Sequence, residues 1–299
     1  RVAGLKHQLE AAVVDLTPGE MSPAQQLKAI RQRVIDLMGE ARRHLTAKLL
    51  PALAQAGVFV LPYGQLTAEE KEEADRYFAE VVFPTLTPLA FDPGRPFPHI
   101  SNLSLNLAVI IGGKKGQQHF ARVKVPDTFP QLLLLGDKSD GRRALKRRSA
   151  FVWLEEVIAA NLETLFPGME ILEAHPFHIT RDADIAIQDL ESSDLLEQIE
   201  EGVRLRRFGS VVRLNVNENM PDRILEILTA NLELGPDDVY RLHGPLALSR
   251  FMQLTKIDRP DLKFTPFLPK IPEALYAPTG EEENIFAAIR RKDLLLHHP

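Results

Sequence analysis

Residues 171–214 have the sequence ILEAHPFHITRDADIAIQDLESSDLLEQIEEGVRLRRFGSVVRL, and this stretch decides the fold class of the chain. It opens with an apolar run of residues that favour strands, and an acidic segment of helical period follows. A second run, alternating apolar and polar residues, closes it. The pattern predicts a strand, a helix and a strand in succession, which is typical of a domain that mixes both kinds of structure.

The first run contains two histidines, His175 and His178. A pair of imidazoles invites interpretation as a metal site. Residues three apart on a strand point to opposite faces, however, and Pro176 between them makes a shared ligand geometry harder to form. We therefore expect both histidines to pack and to form backbone hydrogen bonds, with metal binding as the alternative.

A polar cluster follows the histidines at Arg181, Asp182 and Asp184. Two neighbouring carboxylates could hold a hard cation such as Mg²⁺, which prefers oxygen ligands. The same composition is typical of a turn whose charges satisfy one another. The turn is the expected structure, and the magnesium site is its alternative.

Basic residues collect towards the end of the stretch. Arg204, Arg206 and Arg207 fall in the last turn of the predicted helix, where the helix dipole already favours cations. Arg213 lies on the following strand. A phosphate-binding surface would require at least two of these arginines to converge in the folded chain.

Upstream of this stretch, three segments of helical period predict an antiparallel bundle of amphipathic helices. Ser22 with Gln25, and Thr67 with Glu70, have the spacing of capping boxes that start the second and third helices. The second helix should be buried on one side along a long apolar stripe. The stripe comprises Leu27, Ile30, Val34, Leu37, Met38, Ala41, Leu45 and Leu49. The basic pairs of this helix are expected to be solvated; they are Arg31 with Arg33 and Arg42 with Arg43.

Residues 84–98 contain five prolines and mark the expected boundary between two domains. Beyond them the apolar residues alternate, which predicts a hairpin of strands at 103–111 and 119–125, and a third strand at 131–135. Further helices are predicted at 151–165, 219–232, 246–254 and 284–291, with a short strand at 239–242.

These segments predict a multi-domain protein. We expect an all-α helical bundle of the spectrin-repeat type at 1–86 and an α+β domain with a mixed or antiparallel sheet at 87–278. Residues 279–299 would connect to a further, catalytic domain. The chain starts in helical register without a methionine, and its end resembles a strand entering another domain, so both ends indicate part of a longer protein.

Composition excludes several classes of site. The 299 residues include no cysteine, which excludes disulfides, thiolate nucleophiles and zinc–thiolate sites. No apolar run approaches the ~20 residues that cross a bilayer. The net charge is −5, so any anion site must be local. The sequence has no glycine-rich phosphate or dinucleotide loop, no G-x-S-x-G motif, and no histidine followed two residues later by lysine.

Residues 138–148 hold six basic residues among eleven. No aromatic residue that could stack on a base is interleaved with them. An exposed loop is therefore the expected structure, and an anion-binding segment is the alternative.

Several blocks of sequence resemble one family. They are RVAGLKHQ at 1–8, TPLAFDPGRPFPHISNLSLNLAV at 87–109, FARVKVP at 120–126, HPFHITRDADIAI at 175–187, GSVVRLNV at 209–216 and RRKDLLLHHP at 290–299. In order and approximate spacing, they resemble polyphosphate kinase of the first bacterial type, which moves phosphate between ATP and inorganic polyphosphate through a phosphohistidine. The resemblance covers essentially the whole chain.

The resemblance implies a cytoplasmic phosphotransferase, with peripheral association at the inner face of the membrane as an alternative. This chain would supply the helical N-terminal part, which walls the nucleotide pocket, and the head or middle domain, through which family members form homodimers or homotetramers. The catalytic histidines, the ATP contacts and the Mg²⁺ site of the family fall outside these 299 residues. No catalytic or metal-binding residue is therefore expected here, and the chain alone should be inactive.

The resemblance also implies a basic tunnel for polyphosphate that the head domain helps to frame. The residues of this chain that could contact polyphosphate are Arg181, Arg204, Arg206, Arg207 and Arg213. A guanidinium can bind phosphate oxygens through two nitrogens at once, and the affinity for a polyanion should fall as salt rises. The alternatives are a self-associating scaffold with no ligand of its own and a nucleic-acid binder using residues 138–148, although no nucleic-acid partner is expected.

Overall fold

The structure is a computed structural model that describes residues 1–11, 21–91, 97–113, 117–136, 148–182, 209–268, 285–291, 293 and 295. The chain forms two compact units, residues 1–256 and residues 257–299. The second unit contains a 3₁₀ turn at Pro260–Leu262 and a helix at Ile285–Arg291. Within the described residues, no helix is both long and apolar enough to cross a membrane.

The first unit begins with helices, continues with five successive strands and ends with helices and strands mixed. The helices are α1 (Val2–Glu10), α2 (Pro23–His44), α3 (Leu50–Gln55), α4 (Ala68–Tyr77), α5 (Leu154–Ala160), α6 (Leu162–Leu165) and α7 (Asp222–Leu232), and α8 (Ile285–Arg291) belongs to the second unit. The strands are β1 (Val58–Val60), β2 (Leu89–Phe91), β3 (Leu105–Gly112), β4 (Gln118–Lys124), β5 (Leu132–Leu135), β6 (Ser149–Trp153), β7 (Glu170–Arg181), β8 (Val211–Asn217) and β9 (Val239–Leu242).

Helices α2 and α4 begin at the predicted capping boxes. The hydroxyl of Ser22 accepts a hydrogen bond from the backbone N–H of Gln25 at 3.2 Å, and the Gln25 side chain accepts one from the Ser22 N–H at 2.9 Å. Thr67 and Glu70 form the same pair of bonds, at 3.2 and 2.9 Å. These bonds satisfy N–H groups that the first turn of a helix leaves without partners.

The apolar stripe of α2 is more exposed than predicted. Leu37 is 46% exposed and Leu49 is 47% exposed. Helix α2 reaches the sheets through Met38 and two arginines, whereas other members of the stripe line clefts. The prediction of one continuous buried face is therefore wrong, because exposed positions interrupt the stripe.

Two sheets form the centre of the first unit. The larger has the strand order β2-β4-β3-β7-β8-β9 and is antiparallel except for the pair β8 and β9. The smaller has the order β1-β6-β5, with β1 parallel to β6. The predicted fold class, a helical N-terminal part followed by a mixed sheet, is confirmed. The predicted domain limits stay predictions.

A separate apolar core covers each face of the six-stranded sheet. On one face, Leu107 and Val109 of β3 belong to a core that includes Phe78 and residues of α4 and α5. On the other, Phe177 of β7 belongs to a core that includes Ile224 and other residues of α7. These sides are termed the α4 face and the α7 face. Because side chains alternate along a strand, the register of the sheet assigns each residue to one of them.

Two predicted helices differ from the observed elements. The segment predicted as a helix at 151–165 begins with β6, and its helix starts only at Leu154. All five residues of β6 are buried between β1 and β5, so strand pairing overrides the helical period. The segment 246–254 forms a 3₁₀ helix at Leu248–Lys256. The strands predicted in the α+β domain are confirmed. The helix predicted between β7 and β8 lies outside the described residues.

Candidate functional site

Arg213, Tyr240 and Arg31 meet where α2 contacts strands β8 and β9. Tyr240 is in register with Asn215, two residues beyond Arg213, so Arg213 and Tyr240 lie on the same face of the sheet. The Cζ atom of Arg213 is 4.6 Å from the centroid of the Tyr240 ring, and that of Arg31 is 4.8 Å from it. Cation–π attraction therefore holds two guanidinium groups against one aromatic ring.

The charge of Arg31 is largely balanced. Its guanidinium donates to the backbone carbonyl oxygens of Val239, at 3.0 Å, and of Asp237. The Asp237 carboxylate lies 3.5 Å from its Nε atom. Arg31 is thus anchored to the start of β9 and adds little free charge to the site.

The charge of Arg213 is not balanced in this way. Its Nε atom donates to the side-chain oxygen of Asn215 at 2.7 Å, and a terminal nitrogen contacts the sulfur of Met38. Among the residues that the structure describes, no carboxylate lies within ion-pair distance of it. Burial lowers the pKa of Arg213, and the neighbouring Tyr240 raises it. Arg213 is a partly buried cation held only by neutral groups.

Arg42 places a second cation nearby. It is only 8% exposed, and it donates to the backbone carbonyl oxygens of His243 at 3.0 Å and Pro245 at 2.9 Å. Burial lowers the pKa of Arg42, and the positive charge of Arg213 lowers it further. The prediction that Arg31 and Arg42 are solvated is wrong, because carbonyl groups about two hundred residues later in the chain bind both of them.

Two clefts adjoin this arrangement. One, of about 920 Å³, is lined by residues that include Met38, Arg42, Arg43, Tyr240, Arg241 and His243. The other, of about 540 Å³, is lined by residues that include Arg1, Val34, Thr180, Arg181, Arg213 and Tyr240. Tyr240 lines both clefts, with Arg31 lining the larger one and Arg213 the smaller one.

Acidic residues in the larger cleft are mostly paired. Arg241 forms an ion pair with Asp222, and His243 contacts the carboxylate of Glu218. These pairs leave Arg42, and Arg213 beside it, without an acidic partner in the described part of the chain. The site has a local excess of positive charge although the whole chain carries a net charge of −5.

The structure brings together two of the five predicted phosphate-binding arginines. Arg181 and Arg213 line the same smaller cleft. Arg181 also closes the end of β7, since it donates to the carbonyl oxygens of Ile100 at 2.8 Å and Gly209 at 2.7 Å. The other three, Arg204, Arg206 and Arg207, lie outside the described residues. The role of all five towards polyphosphate stays a prediction.

The two histidines of β7 lie on opposite faces, as predicted. His175 is in register with Ala108 and His178 with Leu105, an odd number of residues apart on β3. Burial lowers the pKa of His178, as do the charges of Arg250 and Arg213, while a hydrogen bond with the backbone of Leu103 raises it. His178 is therefore a packed, neutral group at neutral pH.

The described residues contain no group of three or more histidine or acidic side chains that could hold a metal ion. Of the polar cluster after His178, the backbone N–H of Asp182 donates to the carbonyl of Ser210 at 2.8 Å, and Asp184 lies outside the described residues. The magnesium alternative for Asp182 and Asp184 is thus neither supported nor tested by these residues.

Sequence reasoning missed a buried ion pair behind the site. Arg250 donates to the carboxylate of Glu155 at 3.0 Å. Burial raises the pKa of Glu155 to about 6, although the Arg250 charge lowers it. Glu155 lies two residues after the end of the unpredicted strand β6, and nothing local in the sequence marks either residue.

Two family profiles together match most of the first unit. The profile of the polyphosphate kinase N-terminal domain matches residues 1–61, and that of the polyphosphate kinase middle domain matches residues 69–254. Polyphosphate kinase from Prosthecochloris aestuarii is 44% identical over 300 residues, which cover 100% of this chain and 41% of that protein. Polyphosphate kinase 1 from Chlorobaculum tepidum is 43% identical over 302 residues, covering 100% of this chain and 42% of that protein.

A solved structure shares the fold. The crystal structure of polyphosphate kinase from Porphyromonas gingivalis matches with a TM-score of 0.70 and 22% identity, over 100% of this chain and 40% of that one. The chain spans about two fifths of the length of the curated relatives described above. Because the middle-domain profile alone covers more than half of its residues, the chain belongs to the polyphosphate kinase family.

Proposed function

We propose that the chain is the N-terminal and middle portion of an enzyme that reversibly transfers the terminal phosphate of ATP to inorganic polyphosphate through a phosphohistidine. Family membership supports this reaction. The portion's own roles would be to wall the nucleotide pocket, to supply dimer contacts and to guide polyphosphate along basic side chains. The enzyme would act in the cytoplasm, and Mg²⁺ would bind together with ATP.

The surplus of positive charge beside Tyr240 is the observation that carries the polyphosphate path. Arg213 and Arg42 are close enough for one charge to lower the pKa of the other guanidinium. Holding like charges close together in a partly buried place costs free energy. A polyanion passing Arg213 would offset that cost and form charge-assisted hydrogen bonds with its free donors.

The clefts on either side of Tyr240 suit a linear polymer better than a compact ligand. A chain of phosphates could occupy both clefts while passing Arg181 and Arg213 in one of them. Basic groups spaced along such a route would bind the polymer without recognising its ends. We therefore expect binding that strengthens with polymer length and weakens with salt.

Titration of the purified chain with long-chain polyphosphate at several salt concentrations tests the path. Arg213→Gln should weaken binding roughly tenfold, since a hydrogen bond to a charged group contributes about 1.5–3 kcal/mol. Arg33→Gln is the matched control, because Arg33 is exposed on α2 and should change affinity less than about twofold. Unchanged affinity in Arg213→Gln would contradict the path.

The same purified chain can be used to distinguish the two hypotheses, an enzyme portion that binds polyphosphate and a scaffold without a ligand. Sedimentation analysis that shows dimers, together with titrations that show no polyphosphate binding, would favour a self-association scaffold without a ligand. The 299 residues alone are expected to make no polyphosphate from ATP and Mg²⁺. Synthesis by the pure chain would contradict the proposal that the catalytic residues lie in another part of the longer enzyme.

A further inference from the structure

Arg122 of β4 is a buried cation without a counter-ion. It is 6% exposed, and burial lowers its pKa. No acidic side chain in the described residues offsets that effect, and no ion pair involves it there. A buried charge normally requires a partner, because removing it from water is costly.

The other buried charged side chains of the described chain all have strong partners. Arg42 donates to two backbone carbonyl oxygens. Glu70 completes a capping box and accepts from an arginine at 2.9 Å. Glu155 pairs with an arginine at 3.0 Å. Arg122 differs from them, since its one hydrogen bond goes to a neutral amide.

A network of neutral groups orients Arg122. The Nε atom of Arg122 donates to the side-chain oxygen of Asn106 at 2.8 Å, and Asn106 is fully buried. The Asn106 amide nitrogen donates to the hydroxyl of Ser104 at 3.0 Å and to its carbonyl oxygen at 3.2 Å. The Ser104 hydroxyl donates in turn to the carbonyl oxygen of Ser101 at 2.6 Å. The amide is thus fixed, and it fixes the plane of the guanidinium.

The hydrogen bond to Asn106 uses only the Nε atom of Arg122 and leaves its two terminal nitrogens available as donors. They have no protein partner in the part of the chain that the structure describes. In that part of the chain, the fully buried side-chain atoms without a hydrogen-bond partner are Oε1 of Gln131 and Nδ1 of His178. The two Arg122 nitrogens are not among them, so neither nitrogen is fully closed to solvent. Both nitrogens therefore keep some exposure to solvent, although the residue as a whole is 6% exposed.

Backbone strain occurs next to this network. Leu103, immediately before Ser104, has a φ of 55°, in the left-handed region that a bulky residue avoids. Such a conformation is strained and persists where the surrounding structure enforces it, often at binding sites. Here the N–H of Leu103 donates to the carbonyl of Ile179 at 3.1 Å, which holds the strained turn.

Lys124 adds a second cation on the same side of the strand. It is two residues from Arg122, so both side chains leave the same face, roughly 7 Å apart along β4. Lys124 is in register with Asn106, is partly buried, and forms no ion pair with any described residue. Two cationic side chains therefore leave the same face of β4, and Asn106 of β3 lies directly opposite Lys124.

We infer that Arg122 and Lys124 form a binding site for a phosphate group. The terminal nitrogens of a guanidinium match two oxygens of phosphate, and a lysine ammonium supplies a third, less directional contact. Arg122 is in register with Ala108, which belongs to the core of the α7 face, whereas Arg213 lies on the α4 face. The site is thus separate from the path proposed above and does not depend on it.

Calorimetric titration of the purified chain with inorganic phosphate, tripolyphosphate and ATP tests the site. Arg122→Gln should weaken binding at least tenfold, by loss of charge-assisted hydrogen bonds. Any of the three ligands that saturates the wild type but not Arg122→Gln supports the site and identifies the source of its phosphate group. Equal affinities in the wild type and in Arg122→Gln would overturn the inference, as would the absence of saturable binding by all three.

A second variant avoids removing a buried side chain. Leu89 is 39% exposed and lies directly opposite Arg122 in the pair of β2 and β4. Leu89→Glu would place a carboxylate within cross-strand reach of Arg122 and compete with the ligand, so phosphate affinity should fall at least tenfold. Leu89→Gln, of the same size without the charge, should bind as the wild type does. Equal phosphate binding by both Leu89 variants would also overturn the inference.

Arg213→Gln separates this site from the polyphosphate path. It should weaken binding of long-chain polyphosphate and leave the affinity for inorganic phosphate within about twofold of the wild type. If Arg213→Gln does not change polyphosphate binding while the Arg122 site binds phosphate, only the proposed polyphosphate path is wrong. A tenfold loss of phosphate affinity in Arg213→Gln would instead show that phosphate binds at Arg213 and would overturn the inference of a site at Arg122.

Discussion

Gly209 passes so close to Asp182 that a Cβ atom at position 209 would overlap the backbone carbonyl oxygen of Asp182. The start of β8 and the end of β7 are joined at this point by further bonds. Arg181 donates to the carbonyl of Gly209 at 2.7 Å, and the N–H of Asp182 donates to the carbonyl of Ser210 at 2.8 Å. The absence of a side chain at position 209 is what allows this approach.

Gly209→Ala should therefore lower the free energy of unfolding by about 1–3 kcal/mol, the usual cost of overpacking against backbone that cannot move away. Gly4→Ala is the control, since nothing lies within 4 Å of a Cβ atom at that position of α1. It should raise the free energy of unfolding by up to ~1 kcal/mol, because alanine favours helix over glycine. Urea denaturation of both variants measures the difference, and equal stabilities would contradict the close approach.

Arg42 and Arg43 are adjacent on α2 but differ in environment. Arg42→Met should cost about 1–3 kcal/mol of stability, because two partly buried carbonyl groups lose their donor, whereas Arg43→Met should cost less than about 0.5 kcal/mol. Thermal or urea unfolding of the two variants checks this. Similar losses for both would mean that Arg42 is solvated, as its sequence alone predicts.

Glu155 should make stability depend on pH. Its pKa is raised from 4.5 to about 6 in the folded chain, so the folded state binds the proton more tightly than the unfolded state. The resulting stabilisation is complete below pH 4.5 and is lost as pH rises through 6, a change of about 2 kcal/mol.

The difference in unfolding free energy between the wild type and Glu155→Gln isolates this effect, because glutamine does not titrate. The wild type should lose about 2 kcal/mol relative to the variant between pH 4.5 and 7. Arg250→Met removes the nearest positive charge and should shift the titration of Glu155, followed by NMR, to higher pH. A constant difference across the range would show that Glu155 is not a buried acid.

Glu233 ends α7 in a conformation that favours glycine. Its φ is 56°, and the N–H of the next residue, Leu234, donates to the carbonyl of Thr229 at 3.0 Å, which completes the helix end. Glu233→Gly should raise the free energy of unfolding by about 0.5–1 kcal/mol. Glu233→Ala retains a Cβ atom and should give no such gain. A gain in both variants would point to the charge, rather than to the backbone, as the cause.

Local signals in the sequence predict the elements whose causes are local. Ser22 and Thr67 start helices because each satisfies N–H groups within its own first turn. Apolar residues alternate along β3 and β4, and this alternation predicts their hairpin. In the structure, the two faces of these strands contact two different cores. The opposite orientation of His175 and His178 follows from strand geometry alone.

Distant partners explain the predictions that are wrong. Arg42 has the sequence environment of a solvated residue, and only the carbonyls of His243 and Pro245 make its burial favourable. Arg31, Met38 and Arg42 recur at helical spacing on one side of α2, and this recurrence of arginine beside an apolar position is a signal that could have identified the site. Strand β6 has a helical period, but its two strand neighbours, β1 and β5, determine its structure.

The parallel pairing of β1 with β6 has a consequence for how the protein can be divided. The N-terminal family profile ends at residue 61, just after β1, and the middle-domain profile begins at residue 69. A cut between the profiles would leave β6 with an unpaired edge whose residues are all apolar or small, and such edges recruit strands from other molecules. The boundary between the two family profiles thus lies inside one compact unit, and the portion that carries β6 should aggregate when it is expressed without β1.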